Sequence, residues 1–365
     1  MTARVWNFSP GPATLPESVL ERARERLAEL PGVGASVVEI SHRSAAFEDV
    51  VQEAERNLRD LLNVPESHHV LFLQGGASLQ FSMAPMNLLR GSSAPAAYVV
   101  TGTWGAKALA EARKEGRVDV AWDGRDRGYT EVPDLRALEL PGTASYLHVS
   151  SNETIQGVQF GEGFEPASGP ALVCDASSDF LSRPLPIDRY GLLYAGAQKN
   201  AGPAGVTVVL LHDDLLERIP DGLPSMLDYR THVENRSLYN TPPVFAIDLL
   251  MLVTRWLRDE IGGLDKMHER NREKAALLYD GIDASEGFYR GHASPPARSL
   301  MNVTFRLATP ELESRFVAEA RDEGLVELTG HRTVGGIRAS IYNAMPAEGV
   351  RALREFMDDF ADRAG

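Results

Sequence analysis

Short apolar runs alternate along most of the chain with longer segments whose apolar residues recur at helical spacing. The short runs predict strands at residues 70–73, 96–100, 118–122, 146–150, 171–175, 191–196 and 206–211. The longer segments predict helices at residues 16–30 and 45–62, after a turn at 75–78, after Trp104, and at 243–278 with a break at 262–263. This alternation favours an α/β fold in which helices cover a mostly parallel sheet.

The C-terminal part of the chain has a different pattern. Residues 300–307 and 336–342 alternate as half-buried strands do, and residues 310–323 are helical. A final helix places its apolar residues on one face, namely Val350, Leu353, Phe356, Met357 and Phe360. We therefore expect a large domain over residues 16–260 and a small α+β domain formed by residues 1–15 together with 261–365.

Composition and charge narrow the class of protein. The chain has 365 residues, of which 43% are hydrophobic and 24% charged, as in soluble globular proteins. Its apolar runs are too short to span a membrane, and its N-terminus lacks the pattern of a signal peptide. A net charge of -14 argues against broad nucleic-acid binding, and the single Cys174 fits a reducing compartment. We expect a cytoplasmic protein that binds neither nucleic acid nor membrane.

Two charged residues follow neighbouring predicted strands, where an open α/β sheet binds its ligands. Asp175 ends the strand at 171–175, and Lys199 follows the strand at 191–196 in a glycine-rich turn. Burial there would lower the pKa of Lys199 and leave a neutral amine able to attack a carbonyl. A lysine and an aspartate so arranged are what pyridoxal phosphate (PLP) needs. The alternatives are a lysine that caps a turn in solvent and a structural ion pair between the strands.

Three further segments offer groups that such a site could use. The Gly-Gly-Ala-Ser turn at 75–78 opens a helix, so its N–H groups could bind a phosphate, or it is only a tight turn. Trp104 could stack on a planar ring or pack in the core. The Thr154 hydroxyl could reach the same crevice or serve only its own turn. His68 and His69, predicted in a loop before a strand, lack partners at metal-ligand spacing, so no metal site is predicted.

Together these segments resemble the phosphoserine aminotransferase family, class-V PLP enzymes of fold type I. The resemblance runs from Asn7 to the end of the chain and is most specific at residues 41–43, 75–78, 151–154, 194–200, 239–243, 330–332 and 335–343. It implies an aspartate-aminotransferase-like fold, with a large PLP-binding domain and a small C-terminal α+β domain.

The resemblance also implies a role in cofactor binding for several residues. Lys199 would bind PLP covalently, Asp175 would hold the pyridine nitrogen, Trp104 would stack on the ring, and Thr154 would hydrogen-bond the ring hydroxyl. The cofactor phosphate would be bound by Ala77, Ser78, Ser177 and Gln198. Asn240 and Thr241 resemble the pair that reaches this phosphate from the other subunit, which implies a homodimer with shared active sites.

The implied reaction is the reversible transamination of 3-phosphohydroxypyruvate with L-glutamate to O-phospho-L-serine and 2-oxoglutarate, a step of serine biosynthesis. Both amino-acid substrates carry an α-carboxylate, for which Arg338 is the candidate, and a distal anion. The distal anion would be bound by His42, Arg43, His331 and Arg332. Some family members carry an arginine where this chain has Ser78, so distal binding here must depend on those four residues.

Other interpretations account for fewer of these residues. An alanine/serine–glyoxylate type aminotransferase, the nearest alternative, would leave the cationic cluster unexplained. A cysteine desulfurase needs a mobile catalytic cysteine, whereas Cys174 lies on a predicted strand. A non-catalytic protein would have no use for both Lys199 and Asp175, and no G-x-G-x-x-G follows a strand to suggest a dinucleotide site. A phosphorylated hydroxythreonine on the route to pyridoxine would fit the same anion cluster.

Overall fold

The computed structural model describes residues 4–140 and 143–364 of the chain. The strands of this part are, in chain order, Trp6–Asn7 (β1), His68–Leu73 (β2), Ala96–Val100 (β3), Val118–Asp123 (β4), Leu147–Ser150 (β5), Asn152–Glu153 (β6), Val158–Gln159 (β7), Leu172–Asp175 (β8), Tyr190–Gly196 (β9), Thr207–His212 (β10), Arg290–Gly291 (β11), Asn302–Arg306 (β12), Leu325–Val326 (β13) and Ile337–Ser340 (β14).

The α-helices of the same part are Glu17–Ala28 (α1), Ala45–Leu62 (α2), Gly76–Leu88 (α3), Thr103–Ala112 (α4), Tyr229–Glu234 (α5), Val244–Trp256 (α6), Leu264–Ala284 (α7), Pro310–Asp322 (α8) and Ala347–Ala364 (α9). A π-helical turn, Leu257–Ile261, extends α6. Gly262 and Gly263, both with positive φ, then separate it from α7, which confirms the predicted break.

The largest sheet has seven strands in the order β2-β10-β9-β8-β5-β3-β4. Strand β10 is antiparallel to both of its neighbours, and every other neighbouring pair is parallel. The predicted α/β fold with a mostly parallel sheet is therefore confirmed. The carboxyl ends of β8, β9 and β5 meet at one edge of this sheet, which is where parallel sheets bind ligands.

Helices cover both faces of the sheet, and β9 shows how the sequence achieves this. Leu193 and Ala195 pack in a cluster with residues of α2 and α6, whereas Leu192 and Tyr194 pack on the opposite face with residues of α3 and α4. Because both faces are buried, the strand reads as a continuous apolar run rather than as an alternation.

Helix α2 has the bounds that its apolar spacing predicts. The side chain of Ser44 accepts a hydrogen bond from the N–H of Phe47 and caps the first turn. Asn63, with φ of 50°, adopts the left-handed conformation that ends the helix. Local capping and the apolar face therefore agree on where this helix begins and ends.

A second core lies among the C-terminal elements. Strands β11, β12 and β14 form an antiparallel sheet, and its apolar residues pack with those of α7, α8 and α9. Strand β1 pairs in parallel with β13, and Phe8 is buried in the same core. The division into residues 16–260 and 1–15 with 261–365 stays a prediction, which the position of Phe8 supports. Leu264 and Met267, however, pack in the cluster that contains α2 and α6.

Several elements differ from the predictions. His68 and His69 lie within β2, not in a loop before it, and the His68 ring bonds the carbonyl of Tyr190. Helix α7 extends to Ala284, beyond the predicted end at 278. Helix α5 and the β6–β7 hairpin were not predicted, because they are too short to show periodicity. Within the described residues, no helix is both long enough and apolar enough to cross a membrane.

Candidate active site

Lys199 and Asp175 come together at the carboxyl ends of the adjacent parallel strands β9 and β8. The Nζ of Lys199 donates a hydrogen bond to the Oγ of Thr154 at 2.6 Å. The lysine side chain is buried, and this burial lowers its pKa to about 8 against the opposing charges of Asp175 and Glu153. The predicted buried lysine with a depressed pKa is therefore present.

The Asp175 carboxylate is held by Ser177. Its Oδ1 accepts hydrogen bonds from the N–H of Ser177 at 3.0 Å and from the hydroxyl at 2.6 Å. The same hydroxyl accepts from the N–H of Gly196 at 3.1 Å, so it links the ends of β8 and β9. Burial raises the pKa of Asp175, while Ser177 and the Lys199 charge oppose the rise. Ser177 thus orients the carboxylate and fixes it relative to the strand that precedes Lys199.

Trp104 lies in the first turn of α4 and faces the same crevice. Its ring centroid is 5.7 Å from the Nζ of Lys199 and 6.4 Å from the ring of Phe81. Among the described residues, its buried Nε1 has no hydrogen-bond partner. A flat, partly exposed indole beside a buried lysine suits stacking on a planar ligand.

Glu153 is a residue of this site that the sequence analysis did not select. Its carboxylate accepts hydrogen bonds from the N–H groups of Trp104 at 2.9 Å and Gly105 at 2.8 Å, and so caps α4. Gly102 makes room for it, since a Cβ there would lie 2.6 Å from the Glu153 carboxyl carbon. Burial raises the pKa of Glu153 to about 7 despite these bonds. In the sequence, only its position next to Thr154 indicates that Glu153 belongs to the site.

The N-terminal loop closes one side of the site. A Cβ on Gly11 would lie 3.5 Å from the Cγ of Lys199, so this backbone lies against the lysine stem. The N–H of Ala13 donates to the carbonyl of Gln198, and the Tyr342 hydroxyl donates to the carbonyl of Pro10 at 2.8 Å. The sequence analysis assigned this loop no part in the site.

The turn before α3 has the geometry of an anion-binding helix start. Gly75 and Gly76 have φ of 86° and 63°, which other residues adopt at a cost, and no side chain caps the helix. The first-turn N–H groups, including those of Ala77 and the exposed Ser78, are therefore available for a phosphate. Gln198 is half-buried beside Gly196, where a Cβ would lie 2.5 Å from its side-chain oxygen.

The structure brings together one half of the predicted cationic cluster. Arg338 lies on β14 and is only 6% exposed, and its Nε has no partner among the described residues. The loop that carries His331 and Arg332 folds back onto β14, with the N–H of Gly330 bonded to the carbonyl of Gly336. Burial lowers the pKa of His331, and the Arg338 charge lowers it further.

The other half of the cluster lies in a separate part of the chain. His42 and Arg43 belong to the turn before α2, where His42 is half-buried and Arg43 is exposed. Within residues 4–140 and 143–364, no hydrogen bond or ion pair joins either residue to Lys199, His331 or Arg338. The grouping of all four residues around one anion therefore stays a prediction.

Asn240 and Thr241 lie in the segment before α6. Asn240 is half-buried and Thr241 is exposed, and the Thr241 carbonyl accepts a hydrogen bond from the side chain of Gln74 at 3.3 Å. No hydrogen bond from this pair reaches Lys199 or Asp175 within the part of the chain that the structure describes. Their predicted role requires a second subunit, and it stays a prediction.

Comparison with known proteins assigns the chain and its fold to a class. The sequence profile of the aminotransferase class-V family matches residues 5–353. The chain belongs to this family and is therefore an aminotransferase, as its motifs predicted.

The relatives of the chain narrow the class further. It is 56% identical over 360 residues to the phosphoserine aminotransferase of Rhodopirellula baltica, covering 99% of this chain and 96% of that protein. The solved phosphoserine aminotransferase of Bacillus circulans subsp. alkalophilus superposes with a TM-score of 0.96, at 49% identity and 99% coverage of both chains. The PLP-bound enzyme from Trichomonas vaginalis gives 0.91, at 38% identity, over 97% of this chain and 100% of that one. Within class V, the chain groups with the phosphoserine aminotransferases, and its fold is fold type I.

Proposed function

We propose that this chain is a PLP-dependent transaminase that interconverts 3-phosphohydroxypyruvate and L-glutamate with O-phospho-L-serine and 2-oxoglutarate. In the cell the reaction would serve serine biosynthesis. One observation carries the proposal: the buried Lys199 lies between Thr154, the Asp175 carboxylate and the Trp104 ring, with the Arg338 charge close by. This arrangement accounts for both the carbonyl chemistry and the charge of the substrates.

The residues around Lys199 fit PLP. The Trp104 ring offers a stacking surface, the start of α3 offers N–H donors for a phosphate, and the Asp175 carboxylate can pair with a protonated ring nitrogen. Ser177, Gln198, Ala77 and Ser78 would complete the phosphate site. When bound, PLP supplies an electron sink for the charge that develops at the substrate Cα.

The chain's own residues would manage the proton. With a pKa near 8, Lys199 is partly a neutral amine at neutral pH and can take the proton from the substrate Cα. Thr154, at 2.6 Å, accepts a hydrogen bond from Nζ and so fixes the position of that base. Within the same half-reaction, Lys199 would deliver this proton to the carbonyl carbon of the cofactor, and in the second half-reaction it would move a proton in the opposite direction, onto the Cα of the new amino acid.

Substrate recognition would depend on the cationic groups. The Arg338 guanidinium is buried, its Nε has no partner in the described part of the chain, and it would form a two-pronged pair with the α-carboxylate. His331 and Arg332, with His42 and Arg43, would bind the distal phosphate or γ-carboxylate. Phosphorylated hydroxythreonine carries the same two anions, so we include it as a second substrate on the route to pyridoxine. Both reactions would take place in the cytoplasm.

We further propose that two copies of the chain form a homodimer with shared active sites. This proposal is supported by the hydrogen bonds of Asn240 and Thr241, none of which, among the described residues of one chain, reaches Lys199 or Asp175. Mixing two inactive variants tests it, because Lys199→Ala and Thr241→Ala damage different parts of one composite site. When the two variants are mixed, dissociated and allowed to reassociate, activity should return through hybrid dimers, each with one intact site. A mixture as inactive as its two parents, with hybrid formation verified, would contradict the sharing of sites.

The reaction itself is tested by the visible spectrum of the purified holoenzyme after addition of O-phospho-L-serine alone. We expect the yellow band of the bound cofactor to disappear and the band of pyridoxamine phosphate to appear, with 3-phosphohydroxypyruvate as product. A yellow protein that responds to alanine or serine but ignores O-phospho-L-serine would move the assignment to the glyoxylate-type aminotransferases. A protein that takes up no PLP would overturn the proposal.

A further inference from the structure

Lys107 is a cation at the active site that none of the predicted roles includes. It follows Trp104 by one helical turn on α4, and its Nζ lies 4.3 Å from the centroid of the Trp104 ring. Its side chain is exposed, and no carboxylate of the described residues pairs with it. Lys114, just beyond the end of the same helix, differs in this respect, because it forms an ion pair with Glu111 at 2.7 Å as surface lysines commonly do.

The position of Lys107 is that of an active-site residue rather than of a remote surface lysine. The centroid of Trp104 lies 4.3 Å from the Nζ of Lys107 and 5.7 Å from the Nζ of Lys199, so the two ammonium groups are no more than about 10 Å apart. An amino-acid substrate bound at Lys199 extends several ångströms beyond its Cα. The Lys107 charge is therefore within reach of the far end of such a substrate.

Lys107, Arg338 and Arg332 are three cations near the imidazole of His331. Their charges all lower the pKa of His331, after the larger effect of burial, so each of the three lies close to this side chain. In residues 4–140 and 143–364, none of the four forms an ion pair. The chain nevertheless has 51 acidic and only 37 basic residues. Cations held close together repel one another, and an anionic ligand that binds among them offsets this repulsion.

We infer that Lys107 is a further specificity-determining residue, which binds the distal anion of the substrate and favours a phosphate over a carboxylate there. This inference rests on the proposed function. A phosphate monoester carries nearly two charges and three acceptor oxygens, whereas a γ-carboxylate carries one charge and two oxygens. An ammonium acts as a point charge without a planar fork, so its attraction follows the charge of the ligand more than the ligand's shape.

A structural role for Lys107 makes a different prediction. If the ammonium only steadies the Trp104 ring through a cation–π contact, its loss weakens the cofactor site. Both amino-acid substrates then react more slowly, and PLP dissociates more readily. If Lys107 binds the distal anion, the loss appears in the concentration dependence for the phosphorylated substrate and leaves cofactor affinity unchanged.

The test compares Lys107→Met, Lys107→Arg and the control Lys114→Met as holoenzymes. Each half-reaction is followed by cofactor absorbance, once with O-phospho-L-serine and once with L-glutamate, over a range of substrate concentrations. For Lys107→Met we expect the half-saturating concentration of O-phospho-L-serine to rise about tenfold, that of glutamate to rise less than about threefold, and the limiting rates to stay unchanged. Lys107→Arg should restore most of the phosphoserine affinity, and Lys114→Met should match the unmodified chain.

The outcomes separate this inference from the proposed function. Equal losses for the two substrates, or a weaker affinity for PLP, would overturn the inference in favour of a role through Trp104. Unchanged kinetics in Lys107→Met would overturn it as well, while leaving the proposed function in place. If the unmodified chain fails to react with O-phospho-L-serine, the proposed function falls and the inference falls with it.

Discussion

Lys199 and Thr154 are joined by a hydrogen bond of 2.6 Å, although 45 residues separate them in the chain. Thr154 follows β6, and the residue before it, Glu153, caps the helix that carries Trp104. Two consecutive residues therefore position both the lysine and the indole of the site. This connection gives the short β6–β7 hairpin a role in the site.

The ionisation of Lys199 should set the pH dependence of cofactor uptake. Burial lowers its pKa to about 8, and only the neutral amine attacks a carbonyl. The rate at which the apoenzyme binds PLP covalently should therefore rise about tenfold per pH unit well below pH 8 and level off above it. Stopped-flow absorbance measures this rate. A rate that still rises steeply between pH 9 and 10 would indicate an ordinary, solvated lysine.

Lys199→Ala supplies the control for that experiment. It should take up no PLP covalently, which borohydride reduction followed by mass measurement would verify, and its transamination rate should fall by at least about a thousandfold. Near-normal turnover in this variant would show that another group moves the proton.

Loss of the Asp175 carboxylate should reduce the rate more than it reduces cofactor binding. Asp175→Asn keeps the size of the side chain and an acceptor for Ser177, but it removes the charge that would hold the cofactor ring nitrogen protonated. We expect kcat to fall about a hundredfold or more, with a smaller change in the Kd of PLP. Ser177→Ala is the matched variant, because it keeps the Asp175 charge and the bond from the Ser177 N–H but removes the hydroxyl that donates to the carboxylate. It should cost less, and equal losses would show that Asp175 acts only through its orientation.

Glu153 should make the stability of the protein depend on pH. Its pKa is raised to about 7 in the folded chain from an ordinary value of 4.5, so the folded chain binds the proton more tightly than the unfolded chain. The stabilisation from this group is fully present below pH 4.5 and is lost as the pH rises through 7. Between pH 4.5 and 8, the unmodified chain should lose about 3 kcal/mol of unfolding free energy relative to Glu153→Gln.

Urea unfolding at several pH values measures that difference. Glu111→Gln, on the helix α4 that Glu153 caps, is the control. Glu111 is on the surface, and its pKa is lowered by Lys114, so removing it should leave the slope between pH 5 and 8 unchanged. Parallel stability curves for the unmodified chain and Glu153→Gln would contradict the elevated pKa.

Lys274 should be a major contributor to stability. Its buried Nζ donates to the carbonyl oxygens of Ile341 at 2.9 Å, Tyr342 at 2.7 Å and Met345 at 3.1 Å. Lys274→Met removes the donors and leaves these buried acceptors unpaired, which should cost about 3 kcal/mol of unfolding free energy. Thermal and urea unfolding measure the loss. Lys266→Met, at an exposed position on the same helix, should cost less than about 0.5 kcal/mol, and similar costs for both variants would contradict this role.

The sequence was sufficient for features that depend on local pattern. The bounds of α2 follow from an apolar stripe, a serine cap and a left-handed asparagine, all within the helix or next to it. The order of strands and helices follows from apolar runs and their lengths. Lys199 and Asp175 could be selected because each follows a buried strand, and the carboxyl ends of parallel strands meet at one edge.

Other features depended on residues that are distant in the chain and close in space. The cap that Glu153 forms on α4 joins residues about fifty positions apart, and Gly11 of the N-terminal loop lies against Lys199, about 190 positions further along the chain. No local pattern encodes such pairs, since each residue by itself resembles an ordinary surface or turn residue.

The charge states of the site residues show most clearly what the sequence determined and what the tertiary structure determined. The sequence by itself determined which ionisable groups are present and the strands that carry them. Only the tertiary structure decided that Lys199 has a pKa near 8, that Glu153 has one near 7, and that no carboxylate of the described residues pairs with Lys107. The physical reason is that burial and neighbouring charges set these properties, and both arise only when distant parts of the chain pack together.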